Sequence, residues 1–197
     1  MRPPLGAPYR EVVMSQLSLS GVDTQVRDAS ASDRRAVRAV LLAAYREYAA
    51  SLPPAVFGPY LADVLDLEAR EDVGRLLVAE RAGRVVGAVT WYGDAEGLGW
   101  PSGWAGLRAL GVDPAARGHG VGRALVEACR RWALAAGAPV LCLHTAGFMA
   151  AAVALYEAMG FRRDPSFDFE ATSHLRVGGI QPVRILAYRL DLPHDRP

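Results

Sequence analysis

The sequence predicts an α/β (α+β) protein whose central mixed, mostly antiparallel sheet is flanked by helices. Short apolar runs of strand length alternate along the chain with longer segments in which apolar residues recur every 3.6 positions. Two neighbouring apolar runs are separated only by residues 81–84, whose glycine suits the tight turn of an antiparallel hairpin. The 197 residues are 51% hydrophobic, which is enough for one sizeable core.

A short strand and two helices are predicted before that hairpin. The strand covers residues 24–27. A capping box at residues 30–33 opens a helix whose apolar stripe continues to about Ala50. Pro53 ends this helix, and the next one is predicted over residues 60–69.

The rest of the chain is predicted to alternate between strands and helices, with a glycine-rich loop at residues 93–103. The predicted strands are residues 76–80, 85–92, 104–112, 140–145, 167–171 and 184–190. The predicted helices are residues 120–136 and 149–159, the second of which ends at a glycine cap, Gly160.

Charge and residue usage exclude several classes of protein. The chain carries 22 basic against 21 acidic residues, so its net charge of +1 gives no attraction to nucleic acid or to an acidic membrane. All of the basic residues are arginine. Without lysine, the chain cannot build a Walker A nucleotide site, a Schiff-base enzyme or a pyridoxal enzyme.

The ends of the chain and its two cysteines indicate one reduced domain. Residues 1–20 read as a flexible tail, and residues 21–193 as a single domain. No apolar segment reaches bilayer length and no secretion signal is recognisable, so we expect a cytoplasmic protein without a membrane partner. Cys129 and Cys142 lack the paired spacing of metal ligands, so we expect no metal and two structural thiols.

The strongest chemical signal is a glycine cluster between a predicted strand and a long amphipathic helix. The glycines are Gly118, Gly120 and Gly122. They let the backbone approach a ligand closely, and the helix N-terminus adds about half a positive charge. This arrangement predicts a phosphate site that needs no lysine, with a plain tight turn as the alternative. The dinucleotide spacing G-x-G-x-x-G is not met, because Arg123 follows Gly122.

Two motifs make the chain resemble the GNAT N-acetyltransferase superfamily. Arg117, Gly120 and Gly122 occupy the fixed positions of its acetyl-CoA signature, Q/R-x-x-G-x-G/A. Residues 152–161 resemble the family stretch A-x-x-L-Y-x-x-x-G-F. The order of predicted elements over residues 22–192 agrees with the family fold, and the resemblance implies a sheet splayed between its fourth and fifth strands.

The resemblance implies an acetyl-CoA-dependent N-acetyltransferase in which an amine attacks the thioester directly in a ternary complex. It also implies that the loop amides bind the pyrophosphate, and that the preceding strand pairs with the pantetheine arm. Tyr156 would protonate the departing thiolate. The implied cofactor-binding residues are Leu110, Gly111, Val112, Arg117, Gly118, His119, Gly120, Val121, Gly122 and Arg123.

Two positions depart from the family pattern. Met149 stands where many relatives carry asparagine, and Gly106 stands where many carry a glutamate base. His144 is therefore the candidate base, because imidazole titrates near neutrality, with a purely structural histidine as the alternative. The weaker candidates are the acidic residues Glu80, Asp94 and Glu96.

Aromatic residues cluster in the segments where this fold places the acceptor. They are Tyr45, Tyr48, Phe57, Tyr60, Trp91, Tyr92, Trp100 and Trp104. This composition favours a small, partly apolar amine as acceptor. Two other functions stay open: a catalytically weak acyl-CoA-binding regulatory module, and an acetyltransferase for protein N-termini or lysines. The family allows a homodimer, but no residue pattern specifies an interface.

Overall fold

A computed structural model describes residues 24–171 and 183–193, so the tail predicted over residues 1–20 lies outside the described residues. The strands are β1 (Gln25–Asp28), β2 (Arg75–Arg81), β3 (Arg84–Tyr92), β4 (Ala105–Val112), β5 (Val140–Ala146), β6 (Arg162–Arg163), β7 (Phe169–Glu170) and β8 (Arg184–Asp191). The helices are α1 (Arg34–Tyr45), α2 (Pro54–Leu65), α3 (Leu67–Glu71), α4 (Val121–Ala135) and α5 (Ala150–Ala158).

The strands form one mixed sheet in the order β1-β2-β3-β4-β5-β8-β6, with β7 paired to β8. Every pairing is antiparallel except that of β4 with β5. These two parallel strands pair at only two positions, where Ala105 faces Leu141 and Gly106 faces Cys142. Both strands continue past these pairs without pairing to each other, which confirms the predicted splayed sheet.

Helices cover both faces of the sheet because each carries one apolar stripe. On one face, α4 buries Leu125, Cys129 and Trp132 against the sheet. On the other face, α1 buries Val37 and Leu41, together with residues of α2 and α3. The gap between β4 and β5 therefore lies between two packed layers.

The first two helices differ from their predicted bounds. The first helix does not continue to Ala50 as an α-helix, because a 3-10 segment, Arg46–Ala50, follows α1. The second helix begins at Pro54, six residues before the predicted start at residue 60. Proline at the first helical position lacks only an N–H that would have no intrahelical acceptor, so it opens this helix. The helix also ends earlier than predicted, because Asp66 caps the separate helix α3.

Of the two predicted final strands, the first is shorter than predicted, whereas β8 matches its prediction to within one residue. The strand predicted over residues 167–171 is reduced to β7, because the 3-10 turn Pro165–Phe167 occupies its first position. The short strand β6 was not predicted, since two arginines give no strand pattern. Within the ranges that the structure describes, no helix is both long enough and apolar enough to cross a bilayer.

Both cysteines are free and buried. Burial raises the pKa of the Cys129 and Cys142 thiols, so both stay protonated and lack the thiolate that a nucleophile needs. The Cys142 thiol donates to the Ala105 carbonyl at 3.1 Å, across the short β4–β5 junction. Over the described part of the chain, no three His, Cys, Asp or Glu side chains are grouped to hold a metal ion.

Candidate functional site

A cavity of about 750 Å³ opens where β4 and β5 separate. It brings together residues that sequence analysis selected from three separate parts of the chain. Those on its wall are Leu110, Gly111, Val112, Arg117, Gly118, Gly120, Val121, Gly122, Arg123, His144 and Tyr156. The side chain and backbone of His119 are not on this wall, although its neighbours in the loop are.

The loop before α4 presents backbone N–H groups to the cavity. Gly118 and Gly120 have φ of 77° and 75°, a left-handed conformation that favours glycine. A Cβ at either position would meet no atom within 4 Å, so the space beside both residues is open. Ala124 donates to the Gly120 carbonyl at 2.9 Å, as the first i to i−4 bond of the helix. The amides of residues 121–123 therefore precede any intrahelical acceptor and can bind an anion.

Gly122 lets α4 approach α5 closely. A Cβ at this position would lie 3.1 Å from a methyl carbon of Leu155, on α5. The third glycine of the cluster thus has a packing role, and it brings the helix that carries Tyr156 beside the anion-binding loop.

Arg117 ties the loop to the segment after α1. Its guanidinium donates to both carboxylate oxygens of Glu47, at 2.7 and 2.9 Å. This bond lowers the pKa of the Glu47 carboxyl, while burial opposes the shift. The Arg117 side chain therefore positions the loop, and the backbone amides remain the donors for an anion. His119 has a similar local role, because its Nδ1 lies 2.8 Å from the Arg117 carbonyl.

A β-bulge in β4 lies on the cavity wall, and sequence analysis missed it. The bulge places Ala109 and Leu110 opposite the single residue Val89. Ala109 has φ of 54°. The Tyr45 hydroxyl donates to the Leu110 carbonyl at 3.1 Å and satisfies part of the displaced backbone. Alanine does not favour a left-handed conformation, so no residue type in this segment signals the bulge.

Tyr156 lies on the cavity wall with its side chain almost fully buried. Its ring packs against Phe161, with the ring centroids 5.7 Å apart. Burial raises the pKa of the phenol far above its ordinary value. The hydroxyl is therefore protonated at any pH at which the protein would work, and it can act as a proton donor.

His144 is held on the cavity wall by the backbone of Phe167 and by aromatic side chains. Its Nε2 lies 3.1 Å from the Phe167 carbonyl. A carbonyl only accepts, so Nε2 carries the hydrogen and the neutral ring has its lone pair on Nδ1. The ring stacks on Trp100 with centroids 4.6 Å apart. Burial lowers the His144 pKa, which favours the neutral imidazole.

Of the two positions that depart from the family pattern, Gly106 has a structural explanation. A Cβ on Gly106 would lie 2.9 Å from the Cβ of Ala95, a fully buried residue of the preceding loop. No acidic side chain fits there without moving that loop. Met149 lies on the cavity wall, and its sulfur accepts from the Thr145 hydroxyl at 3.7 Å.

The weaker base candidates are not at the site. None of Glu80, Asp94 and Glu96 is on the cavity wall. The Glu80 carboxylate accepts from Arg27 at 3.0 Å, and Asp94 caps the backbone N–H of Glu96 at 3.0 Å. Among the described residues of the wall, the one carboxylate is that of Glu47, which Arg117 already engages.

Part of the predicted aromatic cluster lines the cavity, and we call the aromatic side chains on its wall, apart from Tyr156, the aromatic end. It consists of Tyr45, Tyr48, Tyr60, Trp100, Phe148 and Phe169. Four of the predicted aromatic residues are not on the wall: Phe57, Trp91, Tyr92 and Trp104. Trp91 packs instead against Trp132 of α4, with centroids 5.2 Å apart. Phe148 and Phe169 were not selected from the sequence.

Comparison with known proteins identifies one family and several relatives. The model of the acetyltransferase (GNAT) family matches residues 41–161. An IAA acetyltransferase of Azospirillum brasilense is 40% identical over 100 residues, which are 50% of this chain and 61% of that protein. The chain thus spans less than two thirds of the length of this relative.

Solved structures share the fold. A GCN5-related N-acetyltransferase from Kribbella flavida is 27% identical, with a TM-score of 0.58 over 86% of this chain and 98% of that chain. An acetyltransferase of Salmonella typhimurium, solved with its cofactor acetyl-CoA, is 23% identical, with a TM-score of 0.60 over 88% and 97% of the two chains. At that identity, the second likeness concerns the fold alone.

We predict that Gly106→Ala destabilises the protein by about 1–3 kcal/mol, because its new methyl group overpacks against Ala95. Ala95→Gly makes room for that methyl group, so the double variant should recover most of the loss. Urea unfolding of the four proteins measures the coupling. Additive effects of the two changes would show that the loop does not fill this position.

Proposed function

Because the chain belongs to the acetyltransferase (GNAT) family, we propose that it transfers the acetyl group of acetyl-CoA to a small, partly apolar amine. One observation carries the proposal. A single cavity joins the N-terminal amides of α4 to the Tyr156 side chain through the gap between β4 and β5. A cavity with an anion-binding loop and a buried proton donor suits acetyl-CoA, which carries both a pyrophosphate and a thioester.

The residues of the wall fit acetyl-CoA. The open space beside Gly118 and Gly120 admits a pyrophosphate close to the backbone, and the amides of residues 121–123 supply donors. The backbone of Leu110 and Val112 borders the cavity on β4, where β5 does not pair with it. Groups of β4 that lack a β5 partner suit the amides of a pantetheine arm. The Salmonella structure with acetyl-CoA supports this assignment through its shared fold.

Bound acetyl-CoA supplies the acetyl thioester. Tyr156 holds a proton on its hydroxyl and gives it to the sulfur that leaves. His144 takes a proton from the attacking amine on Nδ1, because its Nε2 hydrogen is engaged by the Phe167 carbonyl. The nitrogen–carbon bond forms as the carbon–sulfur bond breaks, so one proton is taken up at His144 and one is released from Tyr156. The products are the acetylated amine and the free thiol of coenzyme A.

The aromatic end suits an acceptor with an apolar body. Its rings come from α1, α2, the 3-10 segment after α1, the loops before β4 and α5, and strand β7. The one carboxylate on the described wall is paired with Arg117, so a polycationic acceptor would find no free acidic group. A regulatory module that binds acyl-CoA without turnover is the competing function, and thiol release separates the two.

We predict that the protein binds acetyl-CoA and releases thiol when an amine acceptor is added. Gly120→Val should weaken the affinity for acetyl-CoA at least tenfold, because it strains a left-handed residue and fills the space beside the amides. Gly137→Val is the matched control, since Gly137 has φ of 70° and open surroundings but lies off the cavity wall. Calorimetry that gave equal affinities for both variants would remove the pyrophosphate assignment. Arg117→Ala should weaken affinity less than Gly120→Val does.

Tyr156→Phe should lower the maximal rate about 10- to 1,000-fold while the affinity for acetyl-CoA is kept, because it deletes only the proton donor. Tyr188→Phe is the control, since the Tyr188 hydroxyl donates to Glu157 at 2.8 Å and is not on the cavity wall. Steady-state thiol release measures both. A Tyr156→Phe rate equal to that of the wild type would mean that water protonates the thiolate.

The pH profile of kcat/KM tests His144 as the base. Burial lowers its pKa, so the neutral form should persist as the pH falls below its ordinary value of 6.5. Activity should then decline only at lower pH, as the ring becomes protonated. His144→Gln should lower kcat/KM about 100-fold and abolish this acidic limb. If the limb and the rate survive in that variant, the histidine is structural only.

A further inference from the structure

Arg108 brings a positive charge to the aromatic end of the cavity. It lies on β4 in register with Thr90, two residues after Gly106 and on the same face of the sheet. The charge of Arg108 opposes the rise in pKa that burial gives Tyr45 and Tyr60, and it adds to the lowering of the His144 pKa by burial. Arg108 therefore lies within electrostatic reach of two residues of this end and of His144, which stacks on a third, Trp100.

A second guanidinium lies beneath the first. Arg70 is 5% exposed, and its Nε donates to Thr90 at 3.2 Å, the residue in register with Arg108. Its Nη1 donates to the backbone carbonyl of Asp63 at 2.7 Å. Its Nη2 is buried with no hydrogen-bond partner. The backbone carbonyl carries no full charge, so this bond does not neutralise Arg70 behind the wall.

The local charges do not balance. Arg108 donates to the Asp63 carboxylate at 2.5 Å, so one carboxylate faces two guanidinium groups. The Arg108 and Asp63 side chains are 42% and 48% exposed, and a pair at that exposure contributes little to folding. A guanidinium has five N–H donors, so Arg108 can bind a further anion while it keeps its bond to Asp63. The aromatic end is therefore apolar with an excess of positive charge.

We propose that the acceptor is an α-amino acid with an apolar or aromatic side chain, whose carboxylate binds to Arg108. Its side chain would lie against the aromatic end, and its amine would then lie toward His144. An amine without a carboxylate would meet the excess of positive charge there, whereas a carboxylate supplies the second anion. The inference rests on the proposed function and specifies its substrate class.

Matched pairs of acceptors test the proposal: L-phenylalanine against phenethylamine, and L-tryptophan against tryptamine. Thiol release should give a kcat/KM at least tenfold higher for the amino acid of each pair. Arg108→Gln should reduce this preference at least tenfold, mainly through the KM of the amino acid. Arg38→Gln should keep the preference, because Arg38 forms a similar bond of 2.5 Å to Glu68 at the same exposure, but lies off the cavity wall.

Equal kcat/KM within each pair, or an equal loss for both members in Arg108→Gln, would overturn the carboxylate site. If none of these amines leads to thiol release, that result would overturn the proposed function instead. Calorimetry with the corresponding products then decides on the carboxylate site alone. Binding of N-acetyl-L-phenylalanine that exceeds that of N-acetylphenethylamine and is lost in Arg108→Gln supports the site, and any other result rejects it.

Discussion

The site depends on one constraint, the parallel contact of β4 with β5 that covers only two residue pairs. Cys142 closes this contact by its bond to the Ala105 carbonyl, and Gly106 packs so tightly against Ala95 that the contact has no room for a side chain. Past this junction the strands diverge, and the inner edge of β4 keeps backbone groups without a strand partner. Such groups need an acceptor or donor, so the divergence creates a cavity that favours a polar, extended ligand.

The elements around the gap place the chemistry at fixed positions. The Arg117–Glu47 ion pair joins the anion-binding loop to the segment that carries Tyr48, so the loop is linked directly to part of the aromatic end. Gly122 sets the spacing of α4 and α5, and thereby the position of Tyr156 relative to the loop amides. The glycines of the cluster thus have two roles. Gly118 and Gly120 allow the left-handed backbone of the loop, and Gly122 allows α4 and α5 to pack closely.

Local sequence patterns predicted much of the fold and of the candidate site, and tertiary contacts determine the features that those patterns did not predict. The R-x-x-G-x-G motif and residues 152–161 lie within the segment matched by the family model, so the predicted family is confirmed. The hairpin followed from two apolar runs around a glycine turn, and α4 followed from its 3.6-residue periodicity. The bulge at Ala109 was not predicted, because alanine does not favour the positive φ that it adopts there. The loss of an acidic residue at Gly106 was visible in the sequence, but its cause, the packing of Ala95, involves a loop whose path no local pattern determines.

Because no acidic side chain fits at Gly106, the general base must be another residue of the wall. With no carboxylate there, and with Glu47 bound to Arg117, the described wall offers the imidazole of His144 as its basic group. Burial lowers the pKa of this ring, and the charge of Arg108 lowers it further. A carboxylate bound at Arg108 would cancel that second effect and make Nδ1 more basic when the acceptor is in place. The acceptor proposed from the charge imbalance would thus strengthen its own base.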